Sequence, residues 1–240
     1  MRLIQITDCH LKADPDALYR VGPARAQLEA VLARVEQLSP DVVIVTGDVS
    51  DDESPASYQS ASRLFSQLGC PWYWIPGNHD APDFMREIRD INEVVDLGNW
   101  QLLLLDSRLC GQAGGELGQD QLQRLAALLE EDARPALIAL HHPPVSVGSA
   151  WMDSIGLNDR EAFWQTLVPY AQVKAVLFGH VHHAFSSCEG DVQVYAAPAT
   201  ADQFLPKSDD FALDEASRPG FRVIELHGVR LTTWVERVDI

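Results

Sequence analysis

The stretch DVVIVTGD, residues 41–48, carries the pattern that decides the fold. Its apolar run, Val42–Thr46, ends directly in Gly47 and Asp48. A short apolar run bounded by turn residues is typical of a strand buried on both faces of a parallel sheet. Similar runs recur along the chain and alternate with segments of helical periodicity. This alternation predicts an α/β fold.

The remaining elements are predicted from the same two periodicities. Further strands are expected over residues 3–7, 72–75, 101–105, 136–140 and 173–178, and helices over residues 28–38, 58–68, 122–129 and 161–167. Extended runs at 185–188 and 192–196, and again at 221–226 and 231–235, flank Gly190 and Gly228 and predict two hairpins. Residues 201–219 are expected to form a long loop. No repeat or linker divides the chain, so we expect one domain over residues 1–240.

Composition and charge exclude several classes of protein. A chain of 240 residues with 46% hydrophobic residues is expected to fold without disulfides, and its net charge of −17 repels nucleic acid and anionic membranes. The longest strongly apolar run, residues 102–105, cannot span a bilayer, and the N-terminus lacks a signal-peptide pattern. The four cysteines have no paired spacing, which predicts reduced thiols in a cytoplasmic protein. We therefore expect no nucleic-acid or membrane partner.

Polar side chains follow five of the predicted strands at the point where each strand ends. Because ligand sites in open α/β sheets lie beyond the carboxyl ends of the strands, we expect these side chains to meet at one edge. They supply two carboxylates, four imidazoles and one amide oxygen: Asp8, His10, Asp48, Asn78, His141, His180 and His182. This donor set suits zinc, manganese, iron or cobalt. Seven donors exceed the needs of one ion, whereas two ions that share a carboxylate would use them all.

The motifs around these donors resemble those of the calcineurin-like metallophosphoesterases. They are DCH at 8–10, GD at 47–48, GNHD at 77–80, HHPP at 141–144 and GHVH at 179–182. The resemblance implies a four-layer αββα sandwich of two mixed sheets flanked by helices. Stretches that begin at Gly115, Trp151 and Pro219 resemble the bacterial class III phosphodiesterases, which hydrolyse 3′,5′-cyclic AMP. The resemblance thus implies a small-molecule substrate, 3′,5′-cyclic AMP, and in-line attack on it by a metal-bridging hydroxide, with 5′-AMP as product.

The resemblance also implies a role for each matching residue. One ion, divalent or part of a mixed-valence pair, would be held by Asp8, His10, Asp48 and His182, and the other by Asp48, Asn78, His141 and His180. His79 would be the general acid, oriented by Asp51, with Asp52 as the alternative. The substrate would contact His10, Asp48, Asn78, His79 and His182.

Other residues near the motifs lie outside the implied set of ligands. His142 is expected to lie behind the ligands, and His183 to be a solvated neighbour. Trp151, Met152, Asn158 and Phe204 could line a base pocket or could cover the core. The sequence leaves open whether the chain is a monomer or a homodimer.

Three other functions are alternatives to a cyclic AMP phosphodiesterase. A phosphoesterase of broader specificity, acting on 2′,3′-cyclic nucleotides, other phosphodiesters or nucleotide pyrophosphates, would share the same motifs. An inactive scaffold is disfavoured because all seven donors and His79 are present. A nuclease is disfavoured because the acidic chain has no basic stripe that could hold a long polyanion.

Overall fold

A computed structural model of the chain describes residues 1–20 and 22–240. Its strands are β1 (Arg2–Ile6), β2 (Val42–Thr46), β3 (Trp72–Ile75), β4 (Val94–Asp96), β5 (Gln101–Leu104), β6 (Ala136–Ala139), β7 (Val173–Phe178), β8 (Phe185–Glu189), β9 (Val192–Ala196), β10 (Gly220–His227) and β11 (Arg230–Arg237). Its helices are α1 (Ala24–Gln37), α2 (Pro55–Ser66), α3 (Pro82–Ile88), α4 (Gly118–Glu131), α5 (Ala150–Asp153) and α6 (Arg160–Leu167). Every predicted strand and helix is present. The short elements α3, β4 and α5 were not predicted.

The strands form two mixed sheets, as predicted. The first has the order β11-β10-β1-β2-β3, with β1, β2 and β3 parallel and β10 and β11 antiparallel. The second has the order β4-β5-β6-β7-β9-β8, with β5, β6, β7 and β9 parallel and an antiparallel strand at each edge. The two predicted hairpins are β8–β9 and β10–β11. Residues 201–219 form a loop without helix or strand.

Alternation along the strands explains the four layers. In β1, Leu3 packs in the apolar layer between the two sheets, whereas Ile4 packs with Leu28 of α1 on the opposite face. In β6, Leu137 belongs to the layer between the sheets, whereas Ile138 packs with residues of α4 and α6. Because successive side chains of a strand point to opposite faces, each sheet is covered on both sides. The predicted αββα sandwich is confirmed.

Buried polar contacts join the two sheets at the end where the functional loops lie. Gln5 of β1 donates from Nε2 to the carbonyl oxygen of Phe178 at the end of β7, at 2.8 Å. The backbone N–H of Gly179 in turn donates to the carbonyl oxygen of His141. These contacts hold the ends of β1, β6 and β7 side by side. Within the described ranges, none of the helices has the length and apolar character needed to cross a bilayer.

Candidate metal centre

The loops that follow the strands adopt an uncommon backbone conformation. Five of the seven predicted donors have positive φ angles between 47° and 69°: Asp8, His10, Asp48, His180 and His182. Asp and His enter this left-handed region more readily than most residues, at a cost of about 1–3 kcal/mol each. Such strain concentrates at functional sites because it redirects side chains at the end of an element. Here it turns the donors toward a common centre.

A first group of donors consists of Asp8, His10, Asp48 and His182, all buried. Nε2 of His182 lies 3.4 Å from Oδ1 of Asp8, and Nε2 of His10 lies 3.7 Å from Oδ2 of Asp48. The two Nε2 atoms of His10 and His182 are 3.1 Å apart. The donor atoms of these four residues all lie within 4.8 Å of one another. One cation could therefore contact the whole group.

A second group adjoins the first through Asp48. Nε2 of His141 lies 3.4 Å from Oδ2 of Asp48 and 3.1 Å from Oδ1 of Asn78. Nδ1 of His180 lies 2.9 Å from Oδ1 of Asn78 and 3.2 Å from Nε2 of His141. Oδ2 of Asp48 thus faces His10 in one group and His141 in the other. The fold brings all seven predicted donors together.

The orientation of the rings fits a metal centre. Nδ1 of His141 donates to the carbonyl oxygen of Thr46 and Nδ1 of His182 donates to that of Asp202, each at 2.8 Å. Because these Nδ1 atoms face backbone carbonyls, the Nε2 atoms are the ring nitrogens that point toward the other donors. Nε2 of His182 lies 3.1 Å from Nε2 of His10, and Nε2 of His141 lies 3.2 Å from Nδ1 of His180, so each pair of ring nitrogens could contact one cation. A backbone carbonyl behind a ligating histidine is the usual support of metal sites.

The electrostatics of the group favour added positive charge. Burial disfavours the ionised form of Asp48, but the neighbouring His141 and His10 outweigh it and hold its pKa well below the ordinary value. Burial likewise opposes a charge on His141, yet Asp48 and Asp8 raise its pKa to about 9. Burial lowers the pKa of His10 and His180, which favours the neutral imidazole that ligates metals.

His79 lies at the open side of the donor groups. Its side chain is 39% exposed, and its Nδ1 lies 3.6 Å from Oδ1 of Asp51. Asp51 also lies 3.6 Å from Nδ1 of His10 and 3.3 Å from Nζ of Lys12. Asp52 instead accepts a hydrogen bond from the backbone N–H of Ala13 at 2.7 Å. Of the two acids that the sequence left open, Asp51 is therefore the neighbour of His79.

Two further histidines lie behind the donors. In His142, Nε2 donates to the carbonyl oxygen of Ala113 at 3.2 Å, and Nδ1 contacts Oγ of Ser107 at 2.8 Å. Both ring nitrogens are engaged, and burial lowers the pKa of His142 to about 3. The expectation that His183 is solvated was wrong. His183 is 5% exposed and its Nδ1 donates to the carbonyl oxygen of Val181, because the chain turns inward after His182.

Asp80, the last residue of GNHD, joins two of the loops, a role that the sequence reasoning missed. Its carboxylate accepts hydrogen bonds from the backbone N–H groups of Val49, Ser50 and Gly77, at 3.2, 3.0 and 2.9 Å. These bonds tie the loop of Asp48 to the loop that carries the motif. Burial, together with Asp48, raises the pKa of Asp80 to about 6. The sequence feature that could have identified Asp80 is its position as the last residue of the GNHD motif.

Close packing explains why glycine stands beside the donors. A Cβ atom at Gly47 would lie 2.4 Å from Nδ1 of His141, and Gly47 has a φ of +94°. At Gly77 a Cβ atom would lie 2.2 Å from Oδ1 of Asp48. Real Cβ contacts are not this short, so neither position accepts a larger residue without displacement of a donor.

Aromatic rings support two of the donors and line the cavity above them. Tyr19 stacks on His10 with centroids 4.1 Å apart, and Phe204 stacks on His182 at 3.9 Å. The cavity wall also includes Arg20, Ala113, Trp151, Met152, Ile155 and Phe211. Of the four residues that the sequence suggested for a base pocket, Trp151, Met152 and Phe204 line this cavity. Asn158 is not among its described lining residues. Tyr19, Arg20 and Phe211 could not be identified from the sequence, because they lie in loops that show no periodic pattern.

The chain is similar to known phosphoesterases over nearly its full length. Residues 1–184 match the sequence profile described as calcineurin-like phosphoesterase. A 3′,5′-cyclic adenosine monophosphate phosphodiesterase of Pseudomonas aeruginosa is 39% identical, with 99% of this chain and 90% of that protein covered. A protein of the same name from Vibrio vulnificus is 40% identical with the same coverage. The solved structure of a dimetal phosphatase from Danio rerio superimposes with a TM-score of 0.71 at 14% identity, covering 100% of this chain and 99% of that one. This last likeness supports the fold alone.

Proposed function

The chain belongs to the calcineurin-like phosphoesterase family, and from this premise we propose that it is a dinuclear metal phosphodiesterase that hydrolyses 3′,5′-cyclic AMP to 5′-AMP. The observation that carries the proposal is the pair of donor groups that meet at Oδ2 of Asp48, with His79 at their open side. The choice of substrate draws on the two relatives that are 39% and 40% identical and bear that activity in their names.

The seven donors would hold two ions in the division that the motifs imply. Asp8, His10, Asp48 and His182 fit one ion, and Asp48, Asn78, His141 and His180 fit the other. Two such ions would supply Lewis acidity toward phosphoryl oxygens and would lower the pKa of a shared water. Against two carboxylates they leave a local charge of about +2, which attracts a phosphodiester into a chain of net charge −17. The donor set suits iron, manganese, zinc or cobalt.

The protein's own residues would position the diester and move the proton. The phosphodiester would lie against His10, Asp48, Asn78 and His182, with His79 beside the leaving 3′ oxygen. Asp51, whose Oδ1 lies 3.6 Å from Nδ1 of His79, would orient the ring so that Nε2 faces the substrate. As water adds to phosphorus and the bond from phosphorus to the 3′ oxygen breaks, the Nε2–H group of His79 would give its proton to that oxygen. General acid catalysis of this kind contributes about 10²- to 10⁴-fold in rate.

Product analysis tests the proposal. Protein loaded in turn with each of the four metals is incubated with 3′,5′-cyclic AMP, 3′,5′-cyclic GMP, 2′,3′-cyclic AMP and a nucleotide-sugar pyrophosphate, with and without chelator. We expect chelator-sensitive formation of 5′-AMP from 3′,5′-cyclic AMP at the highest kcat/KM. Faster turnover of another member of the panel would retain the metal chemistry and overturn the substrate. Formation of 3′-AMP would reverse the proposed leaving group.

A further inference from the structure

The cavity above the donors has two chemically different sides. Its floor consists of polar donors that include Asp48, Asn78 and His180. A second part of its lining, which we call the wall, consists of Arg20 and of three rings that we call the aromatic rim: Trp151, Phe204 and Phe211. A ligand that fills this cavity would therefore place an anionic part on the floor and a flat apolar part on the wall.

The aromatic rim is a regular cluster of three rings, of which Phe211 is exposed to solvent. The three ring pairs of the rim all have centroids 5.3 Å apart, with interplanar angles of 68°, 82° and 74°. Phe211 is nevertheless 47% exposed, in contrast to Phe204, which is 6% exposed and stacks on His182. Phe211 also lines the cavity that holds the polar donors, and a concave site that combines aromatic rings with a few polar groups is typical of a ligand site. The ring of Phe211 is thus available to a ligand.

Backbone contacts hold the rim in place before any ligand binds. Phe204 and Phe211 lie in the loop of residues 201–219, where the backbone N–H of Leu205 donates to the carbonyl oxygen of Ala212 at 2.8 Å. The backbone N–H of Trp151 donates to the carbonyl oxygen of Asp209 in the same loop at 3.2 Å. The rim therefore does not need to be ordered by a ligand, which would reduce the entropic cost of binding.

Arg20 adds a cation to the same wall. Its guanidinium carbon lies 4.9 Å from the ring centroid of Phe211, 5.0 Å from that of Tyr19 and 5.6 Å from that of Phe204. Among residues 1–20 and 22–240, no carboxylate forms a salt bridge with Arg20. A guanidinium placed over rings in this way can stack on a heteroaromatic plane and can donate to an acceptor on a ligand.

We propose that Arg20 and the aromatic rim form the nucleobase subsite of this enzyme and that Phe211 and Arg20 contact a purine base. The inference rests on the proposed phosphodiesterase function, which places the phosphodiester on the floor of the cavity. A purine has the flat π-face that the rim can stack and a ring-nitrogen acceptor, N7, that Arg20 can reach with a donor. A purely aliphatic group would leave the guanidinium without an acceptor.

Calorimetric titration of the metal-loaded protein tests the subsite without any need for turnover. The ligands are inorganic phosphate, ribose 5-phosphate and 5′-AMP, which add the sugar and then the base. We expect 5′-AMP to bind the unmodified protein about tenfold or more tightly than ribose 5-phosphate, the gain that stacking of one base gives. Phe211→Ala should remove this gain and leave the Kd for phosphate within about twofold. Arg20→Gln should weaken 5′-AMP more than phosphate.

Specific outcomes would overturn the subsite. Equal affinities of 5′-AMP and ribose 5-phosphate for the unmodified protein would show that the wall does not bind the base. Unchanged binding of 5′-AMP to Phe211→Ala, or an equal loss for phosphate, would exclude Phe211. The matched control is Phe84→Ala, because Phe84 is also exposed but lies outside the cavity. Failure to hydrolyse cyclic AMP would reject the proposed function through the product assay, whereas failure of the titration rejects the base subsite alone.

Discussion

The Nε2 atoms of His10 and His182 face each other at 3.1 Å, 172 residues apart in sequence. Since Nδ1 of His182 donates to a backbone carbonyl, its Nε2 has a lone pair available in the neutral ring. One cation could therefore contact both imidazoles, which only the folded chain brings together. Metal binding and folding stability should be coupled in this protein.

Removal of metal should lower the melting temperature. A bound ion at about 100 times its Kd adds about 2.7 kcal/mol, which corresponds to about 5–10 °C for a chain of this length. Thermal unfolding measured with and without chelator tests this expectation. Asp48→Asn, which weakens both donor groups, should show a much smaller chelator effect. Equal melting temperatures of the loaded and chelated protein would contradict a metal centre at these residues.

His79→Ala should retain two ions and lose catalysis. We expect kcat to fall by about 10²- to 10⁴-fold, because the leaving oxygen would depart without a proton donor. Elemental analysis and steady-state kinetics on the same preparation separate the two effects. The matched control is His227→Ala, since that side chain is 67% exposed and lies outside the donor groups. A loss of metal that accounts for the lost activity would make His79 a structural residue or a ligand.

Asp51 and Asp52 should respond differently to the same substitution. Asp51→Asn removes the charge beside His79, so kcat should fall by about tenfold or more while both ions remain bound. Asp52→Asn weakens the loop contact to Ala13 and should cost about 1 kcal/mol of unfolding free energy with kcat nearly unchanged. Kinetics and denaturant unfolding of both variants test the pair. The reverse pattern would assign the orienting carboxylate to Asp52.

Asn78→Ala should weaken one of the two ions selectively. Oδ1 of Asn78 contacts the second donor group, at 2.9 Å from His180 and 3.1 Å from His141. We expect metal titration to show one tight site and one site whose affinity is weakened by about tenfold or more, as occurs when even a supporting residue of a metal site is removed. Asp8→Asn should weaken the other site. Two equally tight ions in Asn78→Ala would reject this division of donors.

Gly77→Ala should disturb the centre through packing alone. The added Cβ would lie 2.2 Å from Oδ1 of Asp48, so either the carboxylate or the loop has to move. We expect a loss of about 1–3 kcal/mol in the free energy of unfolding, together with weaker metal binding. Gly114→Ala is the control, because the nearest atom to its Cβ would be 3.5 Å away. Equal stabilities of the two variants would contradict the close approach at Gly77.

The sequence alone determined the α/β fold class and the donors of the candidate centre, and the family resemblance of its motifs implied the four layers. Strand periodicity and strand-end residues are local properties, so Val42–Thr46 and the Gly47 and Asp48 that follow it could be recognised without any knowledge of their neighbours. Short elements such as Val94–Asp96 escaped recognition because three residues are too few to show a period.

Only the tertiary structure decided where side chains point once they have left a strand. Asp51 and Asp52 are adjacent and chemically identical, yet one faces His79 and the other caps a backbone N–H of Ala13. His183 is buried, although its position directly after the donor His182 predicted a solvated side chain. The wall of Arg20, Trp151 and Phe211 joins two loops and the short helix α5, which are distant in sequence. The directions of these side chains depend on contacts with distant segments of the chain. A local sequence pattern contains no information about those contacts.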